Sequence, residues 1–542
     1  MGTATGCAGV HVFSVVGLVA FMGVAQPADT VTPGSVGDML KRPPELIAPE
    51  ASPLPAPQPV AEPAPRTAVA NTLTVSNFTF TGNSLFDGAT LGAQIASYQN
   101  RPLTLAQLFE AADVIGKFYV SRGYLLASAV IPAQNVSKGN VTIEVIEGRI
   151  EKVDFTGLKS YRPADLAEFL PAIEGTIYQG AAFEQGLRNI DELPGLTGKA
   201  VLKPGTAYGT TDIVIEAKEK RFEGQVFVDN SGRKTVGERR MAVQVTANNP
   251  GGVGDALTVL GLRSTNDRLH YLYGSYGLPL GASGARVSFS YGYAQFNLGD
   301  TVAGLKGTNR TARGDVSLPL FRNATNRLVV GAALVNTNAN TDLSGLALTQ
   351  TKLTILELSE NFAHTWRGNA VTQLTTAVGS NFKTYSTDQT NGQRLRLDSD
   401  LQHFQPLPFG FQLLGRLNFV YTPDPLPDTQ QFSLGGPSSV RGYAPSEVRG
   451  DWGYFGSLTV RRPFAVADFV VAPRIFGDAG RVRSRAPRGS VPETSLSSAG
   501  IGADLNYKNL NAKLDYAVPL DGRVTSDGRD NGRFYGSVSF NF

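Results

Sequence analysis

From residue 221 onward the apolar residues keep a period of two, and this pattern restricts the fold more than any other feature of the chain. Met241, Val243, Val245 and Ala247 are interleaved with Ala242, Gln244 and Thr246. Ala285, Val287, Phe289, Tyr291 and Tyr293 are interleaved with Arg286, Ser288, Ser290 and Gly292, and Leu413, Gly415, Leu417, Phe419 and Tyr421 with Gln412, Arg416 and Asn418. Residues 510–518 and 534–542 repeat the pattern. Side chains two apart share one face of a strand, so each run is a strand with one apolar face. No sustained helical periodicity competes with it.

A water-soluble sandwich also alternates. Here, however, the polar face carries charges in many segments, which suits a wet lumen, and aromatics gather at segment ends, as in an interfacial girdle. A sheet in lipid cannot keep an open edge and must close. The runs span about nine or ten residues, and roughly twenty residues per strand with its loop divides the 322 residues into about sixteen strands. The expectation is a membrane β-barrel of about 16 antiparallel strands.

Composition removes other classes. Charged residues are 18% of the chain, below the usual quarter of soluble domains. A net charge of +3 gives no reason to invoke nucleic acid. With 1 Cys and 4 His, a Cys/His zinc site and an intrachain disulfide are both excluded. No G-x-S-x-G, H-E-x-x-H or Walker A sequence occurs, so no catalytic residue, metal or cofactor is expected. His270, His364 and His403 are scattered and read as solvated or girdle residues.

Residues 10–25 (VHVFSVVGLVAFMGVA) are apolar, uncharged and end on small residues, the pattern of a secretory signal cleaved after Ala25. The run is shorter than the about twenty residues a membrane-spanning helix needs. Residues 26–72 follow as a linker, with 11 prolines between 26 and 65, a composition that favours extended conformations. Within it SVGDMLKR (35–42) has room for two helical turns before Pro43 and Pro44. It is either part of a floppy tether or a small helix that docks.

Two small modules precede the alternating region, at 73–148 and 149–220. In the first, LTVSNFTFTGN (73–83) alternates with one slip. Leu105, Leu108, Phe109, Ala112, Ile115 and Tyr119 form a helical stripe that Gly123 ends, and strand patterns cover 127–132 and 141–147. The second repeats the order, with RIEKVDFTGLKS parallel to LTVSNFTFTGNS, helical patterns over 163–171 and 181–193, and strands at 200–204 and 212–218. Both read as α+β units of order β-α-α-β-β. Their functional asset is an exposed sheet edge able to accept an extended peptide strand; the plainer alternative is a rigid spacer.

In FVVAPRIFGD (469–478), parity puts Val471, Pro473 and Ile475 on one face and Arg474, Phe476 and Asp478 on the other. A charged Asp facing lipid is costly, so the second face is the lumen. The stretch 426–449 is too long for a hairpin turn. If it folds inward, Arg441 can form a bidentate pair with Asp478.

QFSLGGPSSVRGY (431–443), IFGDAG (475–480), VDNSG (228–232), NPGGVGDALTV (249–259) and terminal Phe542, in order with the signal, the linker and the two modules, carry a resemblance. The chain resembles the TpsB (ShlB/FhaC-type) outer-membrane transporters of two-partner secretion, BamA-superfamily members with two POTRA domains. The resemblance implies that the loop tip Val440, Arg441, Gly442 and Tyr443 docks on the inner wall at Phe476, Asp478 and Gly480, and that Phe542 is the assembly signal read by the barrel assembly machinery. It implies export across the outer membrane of an unfolded TpsA-type exoprotein, whose N-terminal secretion domain meets the POTRA sheet edges in the periplasm. The partners implied are that exoprotein and outer-membrane lipid, with no nucleic acid. The segment 35–42 is similar to the family's pore-plugging helix, though brief. A BamA-type assembly factor is the alternative, but it carries more modules and lacks the Pro-rich tether. A porin would not need the modules. Arg449, Gly450 and Asp451 spell an integrin-type tripeptide, here a coincidence.

Overall fold

The computed structural model describes residues 32–40, 72–136, 139–171, 174–299, 303–323, 325–387, 393–485, 493–522 and 525–542. The expected signal and most of the linker lie outside them. The chain divides into two compact units. One contains the two modules, up to Lys220; the other contains Arg221–Pro250, Asp255–Phe542 and a short helix α1 (Pro33–Leu40).

The first module is built from β1 (Thr72–Val75), β2 (Asn77–Thr81), α2 (Gly88–Gln94), β3 (Arg101–Thr104), α3 (Leu105–Ser121), β4 (Ser128–Val130) and β5 (Asn140–Ile146). The alternation slip falls at Ser76. There the strand leaves one sheet, where β1 pairs with β3, for another, ordered β2-β5-β4. This small β1–β3 ribbon was not expected. α3 starts at a reciprocal box, with Gln107 N–H donating to Thr104 Oγ1 at 3.3 Å and Thr104 N–H to Gln107 Oε1 at 2.9 Å. It buries Leu108, Ala111, Ala112, Ile115 and Tyr119 against the sheet.

The second module contains β6 (Arg149–Thr156), α4 (Pro163–Ala167), α5 (Gly180–Asp191), β7 (Leu196–Pro204) and β8 (Thr210–Glu219), with sheet order β6-β8-β7. The repeated F-T-G has a shared physical cause. A Cβ on Gly82 would sit 2.2 Å from the Val145 carbonyl oxygen, and one on Gly157 2.2 Å from that of Ala217. Just beyond each glycine a glutamate collects the turn. Glu147 accepts from the N–H groups of Ser84 and Leu85, at 2.7 and 2.9 Å, and from the Tyr119 hydroxyl at 3.1 Å. Glu219 accepts from Lys159, Ser160 and Tyr161 N–H. Burial pushes both carboxyls up, but the hydrogen bonds outweigh it and hold both below the ordinary value. Glu151, bound by the hydroxyls of Thr206 and Thr210 and by Ala207 N–H, is drawn down to about 2.

The remaining strands are β9 (Phe222–Asp229), β10 (Arg240–Asn248), β11 (Ala256–Ser264), β12 (Leu269–Pro279), β13 (Arg286–Asn297), β14 (Leu305–Arg322), β15 (Asn326–Leu343), β16 (Leu346–Thr365), β17 (Val371–Ser386), β18 (Arg394–Pro406), β19 (Gln412–Tyr421), β20 (Phe432–Leu434), β21 (Val448–Gly450), β22 (Trp452–Arg461), β23 (Phe464–Val466), β24 (Phe469–Arg483), β25 (Thr494–Tyr507), β26 (Leu510–Pro519) and β27 (Arg533–Asn541). β9 to β19, β22 and β24 to β27 close into a sixteen-stranded antiparallel barrel. β27 pairs with β9 from Ser537↔Asp229 to Asn541↔Gln225. Gly224 and Phe542 then exchange both backbone hydrogen bonds, at 3.0 and 2.9 Å. β20 and β21 form a hairpin inside the loop that joins β19 to β22.

Several strands exceed the nine or ten residues expected: β14 and β15 have 18, β16 has 20 and β17 has 16. β15 gives the reason. Parity places Leu328, Val330, Ala332 and Leu334 outward and then Asn336, Asn338, Asn340 and Asp342, while Ala333, Val335 and Ala339 are buried on the inner face. The apolar stretch covers about 20 Å of strand, most of an outer-membrane band of about 25 Å. Beyond Leu334 the ladder continues with polar side chains, because backbone pairing does not require lipid. The lower rim, where β9 begins and β27 ends, carries a girdle. The His364 ring meets Trp366 edge-on at 4.3 Å, and His403 and the Trp366 indole share the Thr372 hydroxyl.

Candidate functional site

The loop between β19 and β22 leaves the rim opposite the one where β9 begins, yet its tip lies inside the barrel. Val440 and Tyr443 have no exposed surface and pack with Val420, Phe432, Leu434, Phe455, Val482 and Leu496, from the loop and the inner wall. Arg441 reaches β24. Its Nε donates to Asp478 Oδ2 and its Nη2 to Oδ1, both at 2.7 Å, and its backbone N–H adds a bond to Oδ2 at 3.1 Å. Ser457 Oγ on β22 donates to Asp478 Oδ1 at 2.7 Å and accepts from Arg441 Nη2 at 3.2 Å. Beneath the guanidinium lies the Phe476 ring, its centroid 3.3 Å from Cζ. The pair is bidentate, stacked and buried, a combination only arginine supplies.

Each remaining motif residue has a local cause. Gly442 has φ +96° and donates its N–H to the Tyr535 hydroxyl at 3.2 Å, which in turn donates to Tyr443 O at 2.6 Å. A Cβ on Gly480 would lie 2.8 Å from both the Leu434 side chain and the Tyr454 carbonyl oxygen, so this position is vacated for the loop. Phe476, Asp478 and Gly480 alternate with exposed Ile475, Gly477 and Ala479 along β24. The Arg449–Gly450–Asp451 tripeptide lies within the loop between β19 and β22. Arg449 pairs with Asp428, and Asp451 accepts from the Leu426 and Arg485 N–H groups, all internal contacts.

A second element occupies the lumen. Eight residues are too few for a stable isolated helix, so α1 depends on its ends and its surroundings. Thr32 and Ser35 cap it reciprocally at 3.0 and 3.2 Å, with Pro33 at the first helical position. At its last turn Arg240, itself bidentate to Asp229, donates to Met39 O at 2.5 Å. Arg449 of the loop touches Thr32 Oγ1 at 3.2 Å. Val36 and Met39 are buried with Ala242, Leu262, Leu269, Tyr271, Tyr273 and Phe296 of β10 to β13. Between α1, the loop and the wall remains a cavity of about 1020 Å³, the scale of a small-molecule site.

Sequence reasoning left α1 undecided and missed Arg240 and Arg449. One signal was available: β10 to β13 carry apolar residues on the inner face as well, which a water-filled lumen does not explain. The described residues contain no group of three or more potential metal ligands.

A family model described as haemolysin secretion/activation protein ShlB/FhaC/HecB matches residues 209–505, more than half of the chain. The chain belongs to this family. A ShlB-type POTRA domain model matches residues 73–148. The outer membrane transporter CdiB of Dickeya dadantii is 26% identical over 403 residues, 70% of this chain and 71% of that one. The hemolysin transporter ShlB of Serratia marcescens is 25% identical over 481 residues, 82% of each. The structure of CdiB from Escherichia coli shares the fold, with TM-score 0.72 and 23% identity over 91% of this chain and 94% of that one. The protein is an outer-membrane transporter of two-partner secretion, its POTRA region facing the periplasm.

Proposed function

We propose that this transporter takes an unfolded exoprotein carrying an N-terminal secretion domain from the periplasm, holds it as an added strand on its POTRA sheets, and passes it through a lumen that α1 and the inward loop obstruct at rest. The observation that carries the reading is how the lumen is filled. Both obstructing elements join small apolar clusters on the wall, Val36 and Met39 with β10 to β13 and Val440 and Tyr443 with Val420, Phe455, Val482 and Leu496, and both are latched by polar contacts that can separate, Arg441 with Asp478 and Arg240 with Met39 O. Between them and the wall remains a cavity of about 1020 Å³, and in this scheme one element moves to let a polypeptide pass.

Strand addition suits capture, because backbone hydrogen bonds tolerate varied sequence and keep the guest extended. Several edges are already occupied. In the first module the Gln134 amide pairs with both the N–H and C=O of Thr142, at 2.8 and 2.7 Å, as a substitute strand. In the second, β6 is met by Thr176 and Gly175. The outer edges of β2 and of the 200–204 half of β7 keep unpaired backbone among the described residues and are the docking sites in this scheme. No nucleotide motif occurs in the sequence, so folding of the client outside, which prevents return, supplies the direction. Phe542, at the β27–β9 seam, serves as the signal for the barrel assembly machinery. Depletion tests the scheme: loss of one exoprotein from the medium supports export, and loss of many outer-membrane proteins indicates an assembly factor instead.

A further inference from the structure

The outer face of the barrel carries a cavity of about 730 Å³, apart from the loop and α1. Its upper ridge is one transverse row of large side chains, Val460↔Ile475↔Ile501↔Tyr516↔Phe534, in register across five strands. The row below it runs Pro473↔Ala503↔Leu514↔Gly536, and Arg462 N–H donates to Pro473 O at 3.1 Å, which places Arg462 at the head of this row. Pro473 and Ala503 are short, and they form the floor. Four strand spacings make the groove about 19 Å long.

Its two ends differ in height. Arg462 lies just past the end of β22 at the lower rim, beside the turn that joins β18 to β19. Gly536 lies five residues before the end of β27. Strands of a barrel tilt by about 35–45°, so a row perpendicular to them climbs from the rim into the apolar band. Arg462 is posed at the foot. Its Nε donates to Phe409 O at 3.0 Å and its guanidinium lies 5.5 Å from the Phe411 ring centroid. Both terminal nitrogens are without a partner among the described residues. Phe409 is held at φ +60° at the turn tip and is 85% exposed, an arrangement suited to the headgroup region and wasteful in water.

We propose that this groove binds one glycerophospholipid of the periplasmic leaflet, its phosphate on the Arg462 guanidinium and an acyl chain along the floor at Pro473 and Ala503. Lipid is the medium that touches this face, and a fixed planar cation with two free N–H groups at the mouth matches a phosphodiester.

The test uses full-length protein extracted in detergent, delipidated, and titrated with phosphatidylglycerol while native mass spectrometry counts adducts. The parent is expected to retain one phospholipid. Ala503→Phe fills the floor from the lipid side, and Arg462→Glu repels the phosphate; each is expected to weaken retention at least tenfold. Arg462→Lys is expected to be intermediate, and Val245→Phe, on a distant outward position, unchanged. Heat-modifiable migration verifies that each barrel is folded. Equal retention by the parent, A503F and R462E overturns the site. So does a parent that retains no lipid, or one that keeps only lipopolysaccharide.

Discussion

Removing Arg441 gives the sharpest test of the loop-and-wall geometry. Asp478 has no exposed side-chain surface, and after Arg441→Ala it keeps the Ser457 hydroxyl as a nearby donor. Removing one partner of a buried pair costs about 3–5 kcal/mol, and the lost stacking on Phe476 adds about 0.5–2 kcal/mol. Lumen water can rehydrate the exposed carboxylate, so about 3 kcal/mol is the conservative value. At about 1.4 kcal/mol per tenfold, the undocked share of the loop rises ~100-fold. The barrel itself is closed by backbone pairing of its strands, which the substitution leaves intact. A thiol placed at Val440 reports the change, since that position is fully buried when the loop is docked and Cys7 is the only natural cysteine. In the V440C background, R441A is expected to speed thiol modification ~100-fold and to reduce secretion strongly, with the barrel still in the membrane. Arg441→Lys falls between, and adding Asp478→Asn recovers part of the loss by removing the orphaned charge. A labelling rate indistinguishable from the parent's, or normal secretion by R441A, refutes the reasoning.

Deleting residues 73–148 is expected to abolish client binding while the barrel still conducts ions in planar bilayers; retained binding removes the first module from the recognition scheme. Deleting 32–40, or the milder Arg240→Ala, is expected to raise single-channel conductance, and unchanged conductance means α1 does not obstruct the path. Glu147→Gln and Glu219→Gln each weaken a turn-collecting carboxylate by about 1.5–3 kcal/mol. Because both folded carboxyls lie below the ordinary value near 4.3, their contribution is complete above that pH and is lost as pH falls through the depressed values. Acid unfolding of the modules, followed by circular dichroism, should therefore shift less with pH in the variants. An unchanged acid transition contradicts it.

Most of the barrel was legible because period-two alternation decides which side chains meet water. Together with the cost of a charge facing lipid, it assigned Arg474, Phe476 and Asp478 to the lumen. The length of 426–449 showed that the loop could not be a simple turn. Strand length was not legible: the Asn- and Thr-rich end of β15 extends the ladder without an apolar signal. The slip at Ser76 was visible, but the change of sheet behind it depends on pairing with β3, a contact distant in sequence. α1 escaped because an eight-residue segment draws its stability from capping by Thr32 and Ser35 and from the inner faces of β10 to β13, not from its own propensity.

The uneven strand lengths shape what a departing chain meets. β14 to β17 rise past the hydrocarbon band as a polar parapet, while the neighbouring β13 and β18 stop after 12 and 13 residues. The mouth is thus a spout with one tall lip. In the export scheme proposed above, a polypeptide leaving on the β14 to β17 side passes a hydroxyl- and amide-bearing ladder that extends beyond the bilayer.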